Sequence, residues 1–429
     1  MMLKFYTSIM TQSEPLLNRL LRARVAKGKE NAERLDERRG ISAKPRPDGH
    51  VFWVHAASVG EAQSALILVH SIIKQTPDAH ILVTTGTQTS AKHMEDALPA
   101  RAFHQFIPLD HPQWVARFLD HWCPDAAFWM ESELWPNMLS AIKARNTPAA
   151  LINARLSKQS LARWRLVRGS IATLLSTFDV ILAQSDDDAE NFMSLGARDV
   201  VASGNLKYSA APLGFDAKDL AMMRISVGAR PVIVYASTHD GEESIAADLH
   251  GMLEAAYPDL LSIIIPRHPN RGAAILVALE ADHHNVMLRG ADKVQPDDNT
   301  SIYIADTMGE MGLFYRLGSI VYVGRSLSAD GGGGHNPLEP AQLHCAVVHG
   351  KHVQNLADIY DDMQAHNACI SVHDQDDLLQ KLEWLLSDDA ARDEYVRRAY
   401  DFANAKGHVI DIVLKHIQPI IDEGIRHAA

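Results

Sequence analysis

Short apolar runs alternate with amphipathic stretches along almost the whole chain. The runs are continuously apolar, which is typical of parallel strands covered by helices on both faces. The pattern therefore predicts successive βαβ units. The predicted strands of the first half are Val51–Ala57, Ile81–Thr85, Phe103–Leu109, Ala126–Met130, Ala149–Asn153, Val180–Gln184 and Val200–Ser203. Those of the second half are Val232–Ala236, Leu261–Pro266, Val286–Leu288, Ile302–Ala305, Ile320–Val323, Val347–Gly350 and Ile370–Val372.

A polar stretch at Tyr208–Asp216 interrupts this rhythm before it restarts. We predict an α/β chain with two Rossmann-like, doubly wound domains at 46–210 and 211–429, preceded by a basic helical segment at 1–45. Ligands bind beyond the carboxyl ends of strands in such sheets. Two such domains facing each other would place the active site in the cleft between them.

The N-terminal segment combines a basic charge with a helical apolar stripe. Residues 1–50 hold eleven Lys or Arg and six Asp or Glu, in a chain whose net charge is −12. Arg22, Lys27 and Lys29 accompany the stripe on the predicted helix. Such a helix lies in a membrane interface or packs on the domain, and the pattern leaves both open. The stripe consists of Leu16, Leu17, Leu20, Leu21 and Val25.

Composition narrows the class of protein. The chain has 429 residues, enough for two cores, and its net charge of −12 disfavours a nucleic-acid binder. The cysteines Cys123, Cys345 and Cys369 are too far apart for a disulfide framework or a zinc motif, so a reducing cytoplasm is expected. No apolar run is long enough to cross a bilayer, and no cleaved signal is recognisable. We expect no metal site and no cofactor.

Carboxylates follow two predicted strands of the first half. Glu61 comes just after Val51–Ala57, and Glu131 after Ala126–Met130. Since carboxyl ends of parallel strands share one edge, these groups and Arg155 should converge. Ser58-x-x-Glu61 is also a capping box, which by itself explains Glu61, and an ion pair with Arg155 by itself explains Glu131. A carboxylate at a helix N-terminus should be held ionised, as a general base requires.

Polar turns follow several strands of the second half. The glycines 331–334 precede Asn336, Pro337 and Glu339, which suit the start of a helix, and such a turn favours phosphate. A plain flexible loop is the alternative. The turns at 237–242, 266–269 and 307–310 add further polar groups, as a nucleotide with one phosphate requires, although each is also compatible with an ordinary helix cap.

Eight motifs together resemble the 3-deoxy-D-manno-octulosonic acid (Kdo) transferase family. They occur in the family's order and cover roughly residues 20 to 360. The motifs are HAASVGE at 55–61, ESELWPN at 131–137, NARLS at 153–157, GNLK at 204–207, ASTH at 236–239, PRHP at 266–269, DTMGE at 306–310 and GHNPLEP at 334–340. Arg325 and the segment 350–355 depart from the family pattern, which puts local donor contacts in doubt.

The resemblance implies a GT-B glycosyltransferase with inverting, metal-free transfer of Kdo from CMP-Kdo to lipid IVA, a lipid A precursor, in lipopolysaccharide biosynthesis. It implies a peripheral enzyme on the cytoplasmic face of the inner membrane. Glu61 would be the general base and Glu131 an essential carboxylate. Expected acceptor-side residues are Lys27, Lys29, Ser58, Gly60 and Arg155. Expected donor-binding residues are Lys207, Ser237, Thr238, Arg267, His268, Met308, Gly309, Glu310, Gly334, His335, Asn336, Glu339 and Asn355.

Two alternative functions remain compatible with the residues alone. One is a different GT-B reaction, the transfer or epimerisation of a UDP-sugar. The other is a catalytically silent protein that binds a nucleotide or lipid. Loss of Glu61 or Glu131 would favour the silent protein, and both residues are present.

Overall fold

The chain folds into two compact units. A computed structural model describes residues 2–281, 285–328 and 332–427. The first unit comprises residues 1–210 and 407–429, and the second comprises residues 211–406. Each unit is built around its own parallel sheet.

The first unit holds a seven-stranded parallel sheet in the order β3-β2-β1-β4-β5-β6-β7. Strand order reverses beside β1, which creates the switch point where doubly wound sheets bind ligands. The strands are β1 Val51–Ala56, β2 His80–Thr85, β3 Ala102–Phe106, β4 Ala126–Met130, β5 Ala149–Ala154, β6 Val180–Ala183 and β7 Val200–Ala202.

Alternate residues of β1 belong to two hydrophobic cores, one on each face of this sheet. Trp53 is buried with Trp129 and Phe118 on one face, and Val54 with Phe128 on the other. This two-sided burial explains why the strands are continuously apolar. The helices of the unit are α1 Met2–Gln12, α2 Glu14–Ala26, α3 Val59–Gln75, α4 Gln88–Ala97, α5 Pro112–Trp122, α6 Pro136–Ala144, α7 Lys158–Arg165, α8 Arg168–Leu175, α9 Asp186–Ser194 and the last helix, α18 Val409–His427.

The assignment of residues 211–429 to a single domain needs correction, because α18 belongs to the first unit. Its apolar side, including Val413 and Ile417, is buried in the core that also contains α3. Gly424 sits so close to the sheet that a Cβ there would lie 2.6 Å from the Asp125 carbonyl oxygen. The helix therefore completes a hydrophobic core that the earlier part of the chain leaves open.

The N-terminal segment forms two helices where the sequence predicted one. The α1 helix contacts α5 and α6, and its Tyr6 hydroxyl donates to Asp110 Oδ2 at 3.0 Å. On α2, Leu21 is fully buried, so this part of the stripe packs on the unit. Leu16 and Leu20 of the same stripe are exposed. The packing interpretation thus accounts for only part of the apolar surface.

The second unit repeats the doubly wound design with strand order β10-β11-β9-β8-β12-β13-β14, again all parallel. Its strands are β8 Val232–Thr238, β9 Leu261–Pro266, β10 Val286–Leu288, β11 Ile302–Ile304, β12 Ile320–Val323, β13 Ala346–His349 and β14 Ile370–Ser371. Its helices are α10 Ala217–Val227, α11 Glu242–Leu253, α12 Gly272–Glu280, α13 Met311–Phe314, α14 Leu338–Ala341, α15 Ala357–Ala365, α16 Gln375–Ser387 and α17 Asp389–Lys406.

All fourteen predicted runs contain a strand, and the bounds differ mainly at the ends. The largest difference is at Phe103–Leu109, where β3 ends at Phe106. Pro108 has no N–H to extend the ladder, and the Leu109 amide instead donates to the Arg38 carbonyl oxygen at 3.0 Å. Short 3₁₀ turns connect other elements at Leu35–Arg39, Leu206–Ser209, Pro269–Arg271 and Gln354–Leu356.

Candidate functional site

Glu61 lies at the switch point of the first sheet, in the first turn of α3. Its Oε2 accepts a hydrogen bond from the Ala57 amide at 2.8 Å, and its Oε1 accepts one from the Ser58 hydroxyl at 2.8 Å. Ser58 Oγ in turn accepts from the Glu61 amide at 3.3 Å. The capping box therefore forms, although the Glu61 side chain accepts from the Ala57 amide and not from the Ser58 amide. Capping fixes the carboxylate at the carboxyl end of β1.

The expectation that the helix terminus holds Glu61 ionised needs correction. The pKa of Glu61 is raised to about 7. Burial is the main cause and the nearby Glu131 and Glu133 carboxylates add to it, whereas the hydrogen bonds from Ala57 and Ser58 oppose the shift. Burial and like charges thus outweigh the capping bonds. A carboxyl group with this pKa exchanges protons near neutral pH, which suits a general base better than permanent ionisation does.

Glu131 and Arg155 form an ion pair next to Glu61. The Arg155 Nε atom lies 3.0 Å from Glu131 Oε2, and the Glu131 side chain is buried while that of Arg155 is 46% exposed. Glu131 has a positive φ of 55°, a conformation that is uncommon outside glycine. Glu133 instead accepts from the Trp135 indole at 2.7 Å. The sheet edge thus brings together the carboxylates and the arginine that the sequence selects.

Lys207 lies in the first unit, although the sequence places it with the donor-binding residues. A Cβ on Gly60 would lie 3.8 Å from the Lys207 ammonium nitrogen, so this cation stands beside the first turn of α3. The preceding residues explain the placement, because the Leu206 amide donates to Asn153 Oδ1 at 2.8 Å. The Lys207 charge is therefore held on the same side as Glu61.

The loop that carries Lys27 and Lys29 is anchored at the same sheet edge. Gln88, which follows β2, donates to the Gly28 carbonyl oxygen at 3.3 Å. Buried Glu30 closes the loop by accepting from Arg24 at 2.9 Å and from Arg38 at 3.1 Å. Both lysine side chains remain exposed. Two cations are thus displayed near the turn after β2, next along the sheet from the Glu61 turn.

An exposed apolar surface covers part of α1 and α2. On α1, Phe5 is 66% exposed and Ile9 is 50% exposed, and on α2 Leu16 is 68% exposed. Met2 and Leu20 extend this surface. Large apolar side chains grouped on helices beside basic residues are typical of surfaces that bind membranes or partners.

In the second unit, buried Glu242 organises the turns after β8 and β12. Its carboxylate accepts from the amides of His239 at 3.0 Å, Arg325 at 2.6 Å and Ser326 at 3.2 Å. Thr238, which the sequence assigns to donor binding, is fully buried and donates to Glu243 at 2.9 Å. These contacts give Glu242 and Thr238 structural roles behind the exposed edge.

Polar side chains crowd the carboxyl ends of β8 and β9. Ser237 has a positive φ of 57° and points its hydroxyl to the Met311 sulfur at 3.7 Å. Arg267 and His268 are exposed just past β9. His335 reaches the same place, where its Nε2 lies 3.2 Å from that of His239.

Two amides of the glycine turn donate to carbonyl oxygens of the protein itself. The Gly333 amide donates to the His352 carbonyl oxygen at 3.2 Å, and the Gly334 amide donates to that of Arg325 at 3.1 Å. A Cβ on Gly333 would lie 2.2 Å from the Asn355 side-chain nitrogen, so glycine is required for internal packing. Gly331 lies outside the described residues.

The helix after this turn also differs from the prediction. The α14 helix has only four residues and begins at Leu338, so it offers little dipole to a phosphate. Asn336 Oδ1 accepts from the Leu338 amide at 3.1 Å, and the Asn336 side-chain nitrogen donates to Glu339 at 3.4 Å. Burial raises the pKa of Glu339 to about 7, although Asn336 and Arg267 oppose the shift.

Glu310 lies in an ion-pair network that the sequence did not reveal. Fully buried Arg289 donates to Glu310 at 2.7 Å and also to Asp219, and Lys293 lies 2.6 Å from the other Glu310 oxygen. Partial burial opposes ionisation, but these cations and the Thr307 hydroxyl lower the pKa of Glu310 to about 2. Glu310 is therefore ionised at neutral pH. No capping box forms here, because Glu310 precedes α13, a helix of four residues.

A cavity of about 480 Å³ opens beside this network within the second unit. Met308 is 77% exposed there, and Gly309 has a positive φ of 77°. The cavity is lined partly by residues of the DTMGE motif and partly by residues that belong to none of the eight motifs. Its lining consists of Phe215, Asp216, Lys293, Thr307, Met308, Gly309, Glu310 and Leu313.

Within residues 2–281, 285–328 and 332–427, no group of three or more His, Cys, Asp or Glu side chains is arranged to hold a metal ion. Across the same described part of the chain, none of the helices combines the length and apolar character needed to cross a membrane.

The chain is similar to known Kdo transferases over nearly its whole length. The family described as "3-Deoxy-D-manno-octulosonic-acid transferase (kdotransferase)" matches residues 33–210. The 3-deoxy-D-manno-octulosonic acid transferase of Rickettsia bellii is 31% identical, over 97% of this chain and 99% of that protein. The enzyme of the same name from Haemophilus influenzae is 30% identical, over 98% of this chain and 99% of that protein.

Solved structures support the fold independently. A UDP-GlcNAc 2-epimerase from Neisseria meningitidis has a TM-score of 0.52 at 14% identity, covering 86% of this chain and 100% of that one. A glycosyltransferase from Rickettsia africae has a TM-score of 0.52 at 11% identity, covering 88% of this chain and 99% of that one. The two doubly wound units are those of a GT-B glycosyltransferase, and with its near full-length relatives the chain belongs to the Kdo transferase family.

Proposed function

We propose that this enzyme transfers Kdo from CMP-Kdo to lipid IVA with inversion at the anomeric carbon, in lipopolysaccharide biosynthesis. Membership of the Kdo transferase family supports the transferred sugar. The observation that carries the mechanism is the buried Glu61 carboxyl group, fixed at the switch point of the first sheet and with its pKa raised to about 7. The first unit binds the acceptor, and the second binds the nucleotide of the donor.

Glu61 acts as the general base in this proposal. The acceptor's sugar hydroxyl attacks the anomeric carbon of Kdo as the bond from that carbon to the phosphate oxygen breaks. The hydroxyl proton passes to Glu61, and the electron pair of the broken bond leaves with CMP. Ser58 and Gly60 form the turn that positions Glu61, and Lys207 supplies positive charge beside it.

Glu131 tunes this base. Its carboxylate raises the pKa of Glu61, and Arg155 holds it at 3.0 Å. Replacing Glu131 by Gln should therefore shift the rising limb of the pH–rate profile to lower pH. In the wild type, kcat should rise with pH through about 7, because only ionised Glu61 accepts the proton.

On the donor side, we propose that the cavity beside Met308, Gly309 and Glu310 receives the nucleoside. Arg267 and His335, past the ends of β9 and β12, approach the phosphate. The remaining donor-side residues, Ser237, Asn336, Glu339 and Asn355, complete this edge or support it. The exposed surface of α1 and α2, with Lys27 and Lys29 nearby, holds the enzyme peripherally on the cytoplasmic face of the inner membrane.

The test is transfer by purified protein incubated with CMP-Kdo and lipid IVA, with products weighed by mass spectrometry. Glu61→Gln should reduce kcat by about 100- to 10,000-fold, while CMP still binds. Gln keeps the size of the side chain and an acceptor for capping, whereas Glu61→Ala should additionally cost about 1 kcal/mol of stability. Glu190→Gln, an exposed position on α9, is the matched control.

Full activity of Glu61→Gln would assign this residue to capping alone. Transfer from a UDP-sugar, with no product from CMP-Kdo, would instead favour the alternative GT-B reaction.

A further inference from the structure

One long stretch of the first unit carries positive charge alone. Residues 134–178 contain seven Lys or Arg and no Asp or Glu, in a chain whose net charge is −12. Four of the seven follow one another on α7 and at the start of α8, namely Lys158, Arg163, Arg165 and Arg168. We call these four residues the α7 basic patch. A local charge of this sign in an acidic protein indicates a surface that contacts an anionic partner.

The charge of this patch is not neutralised by the protein. All four side chains are exposed, and among the described residues none of them forms an ion pair with a carboxylate. The Arg163 Nε atom lies 3.5 Å from the Gln159 carbonyl oxygen of its own helix, which is a neutral group. Asp188 of α9 accepts from the Leu156 amide at 2.9 Å, just before α7 begins. Arg165, at the end of α7, is about 10 Å further along the helix axis.

The packing of α7 turns the cations outward. Leu161 and Trp164, which are neighbours on one side of the helix, pack against the core on the α5 side of the sheet. The opposite side of the helix therefore carries the charges. Leu166, which follows the helix directly, is 84% exposed, more than any other large apolar side chain among the described residues. Since Leu166 lies between Arg165 and Arg168 in the chain, an apolar group and two cations are presented together.

The α7 basic patch lies on the same side of the sheet as the exposed apolar surface of α1 and α2. Leu3 of α1 packs against the same core as the inner side of α7. The two elements are connected through α6 and α8, because α1 contacts α6, α6 contacts α8 and α8 contacts α7. The Thr7 hydroxyl lies 2.7 Å from Asn137 Oδ1, just after β4, and α7 begins just after β5. Both surfaces thus lie near the carboxyl edge of the sheet, which also carries Glu131.

We propose that the α7 basic patch binds the phosphates of anionic phospholipids, in the same membrane that the α1 and α2 surface contacts. This inference rests on the proposed function, which supplies the membrane. The planar guanidinium of an arginine donates two hydrogen bonds to a phosphate. Leu166 favours a lipid surface over a nucleic acid, because a lipid surface offers an apolar layer beneath its charges. Two contacts on one side of the first unit fix its orientation on the membrane, which a single contact does not.

Sedimentation of the full chain with vesicles at low salt tests the proposal. Vesicles of phosphatidylcholine are compared with vesicles that also contain phosphatidylglycerol. Each Lys or Arg near an anionic surface contributes about five-fold in affinity. The triple variant Arg163→Gln, Arg165→Gln and Arg168→Gln should therefore bind the anionic vesicles roughly 25- to 125-fold more weakly, with a smaller dependence on salt. Leu166→Ser should weaken binding about 3- to 10-fold, to neutral vesicles as well.

A second triple variant is the matched control. Lys74→Gln, Lys415→Gln and Arg426→Gln remove three exposed cations from α3 and α18, which cover the opposite side of the same sheet. This variant has the same net charge as the first and should bind vesicles nearly as the wild type does. Equal losses in the two triple variants would overturn the inference, because they would reflect net charge alone. Coincident thermal melts of all three proteins would show that the substitutions leave the fold intact.

The other outcomes identify a different role for the patch. Unchanged binding of the first triple variant to anionic vesicles overturns the inference. So does binding of the wild type to an RNA oligonucleotide without any preference for anionic vesicles. Kdo transfer to a lipid acceptor in detergent micelles tests the proposed function separately. Failure of the wild type in that assay contradicts the proposed function, whereas the vesicle result decides the inference in either case.

Discussion

Replacing Arg289 by Met should strongly destabilise the second unit. The guanidinium is fully buried and bonds Glu310 at 2.7 Å, Tyr303 at 3.2 Å and also Asp219. Met fills similar space. Among the described residues it leaves Lys293 as the cation next to the two carboxylates, at 2.6 Å from Glu310 and 3.9 Å from Asp219, beside the hydrogen bonds from Thr307 and Gln295. Removing one member of a buried ion pair costs about 3 to 5 kcal/mol. Since Lys293 offsets part of this loss, we expect about 3 kcal/mol.

Differential scanning calorimetry measures the effect. For a unit of roughly 200 residues, each kcal/mol corresponds to about 2 to 4 °C, so the transition of the second unit should fall by about 6 to 12 °C. Faster hydrogen exchange in β9 and β11 would identify the affected unit. Arg397→Met makes the same substitution at a side chain that is 60% exposed, where solvent weakens the ion pairs with Glu394 and Asp401, so this variant should lose much less stability. Equal losses in the two variants would refute the reasoning.

Two further predictions concern the first unit. Because the folded state raises the pKa of Glu61 from 4.5 to about 7, it binds a proton that the unfolded chain has lost, and wild-type stability should fall across this pH range. Glu61→Gln removes this slope, so its free energy of unfolding should rise relative to that of the wild type between pH 5 and 8, by at most about 3 kcal/mol. Thermal melts across this pH range measure the difference, and parallel curves for the two proteins would contradict the prediction. Replacing Arg22, Lys27 and Lys29 by Gln should weaken binding to anionic vesicles at low salt, and Phe5→Ser should weaken it at all salt concentrations. Unchanged sedimentation with vesicles would exclude this surface.

The strands could be predicted because the residues of each strand are enough to show that it is buried. A strand covered on both faces must be apolar at successive positions, as in Val51–Ala56, and no knowledge of its neighbours is needed. The unit in which α18 packs could not be predicted in this way. Its apolar stripe indicates that one side is buried, but nothing in the stripe distinguishes the core around α3 from a core in the unit that precedes it along the chain.

The site residues likewise include some that the sequence could predict and some that it could not. Glu61 and Glu131 could be selected because each follows a predicted strand, and parallel strands bring such ends together. Arg289 could not, because a lone arginine after a short strand has no local signal for the two carboxylates that bury it. The contacts of the Gly333 and Gly334 amides could not be predicted either, because spacing does not show that the His352 and Arg325 carbonyl oxygens accept from them.

The placement of α18 also affects the order in which the protein matures during synthesis. Residues 211–406 are continuous in the chain, so the second unit can fold as soon as it leaves the ribosome. The first unit is translated earlier, but its core stays incomplete until residues 407–429 have been synthesised. Until then, the part of the sheet that packs against Val413 and Ile417 is uncovered. The nascent chain therefore passes through a stage in which its later half is finished and its earlier half still offers a hydrophobic groove to chaperones.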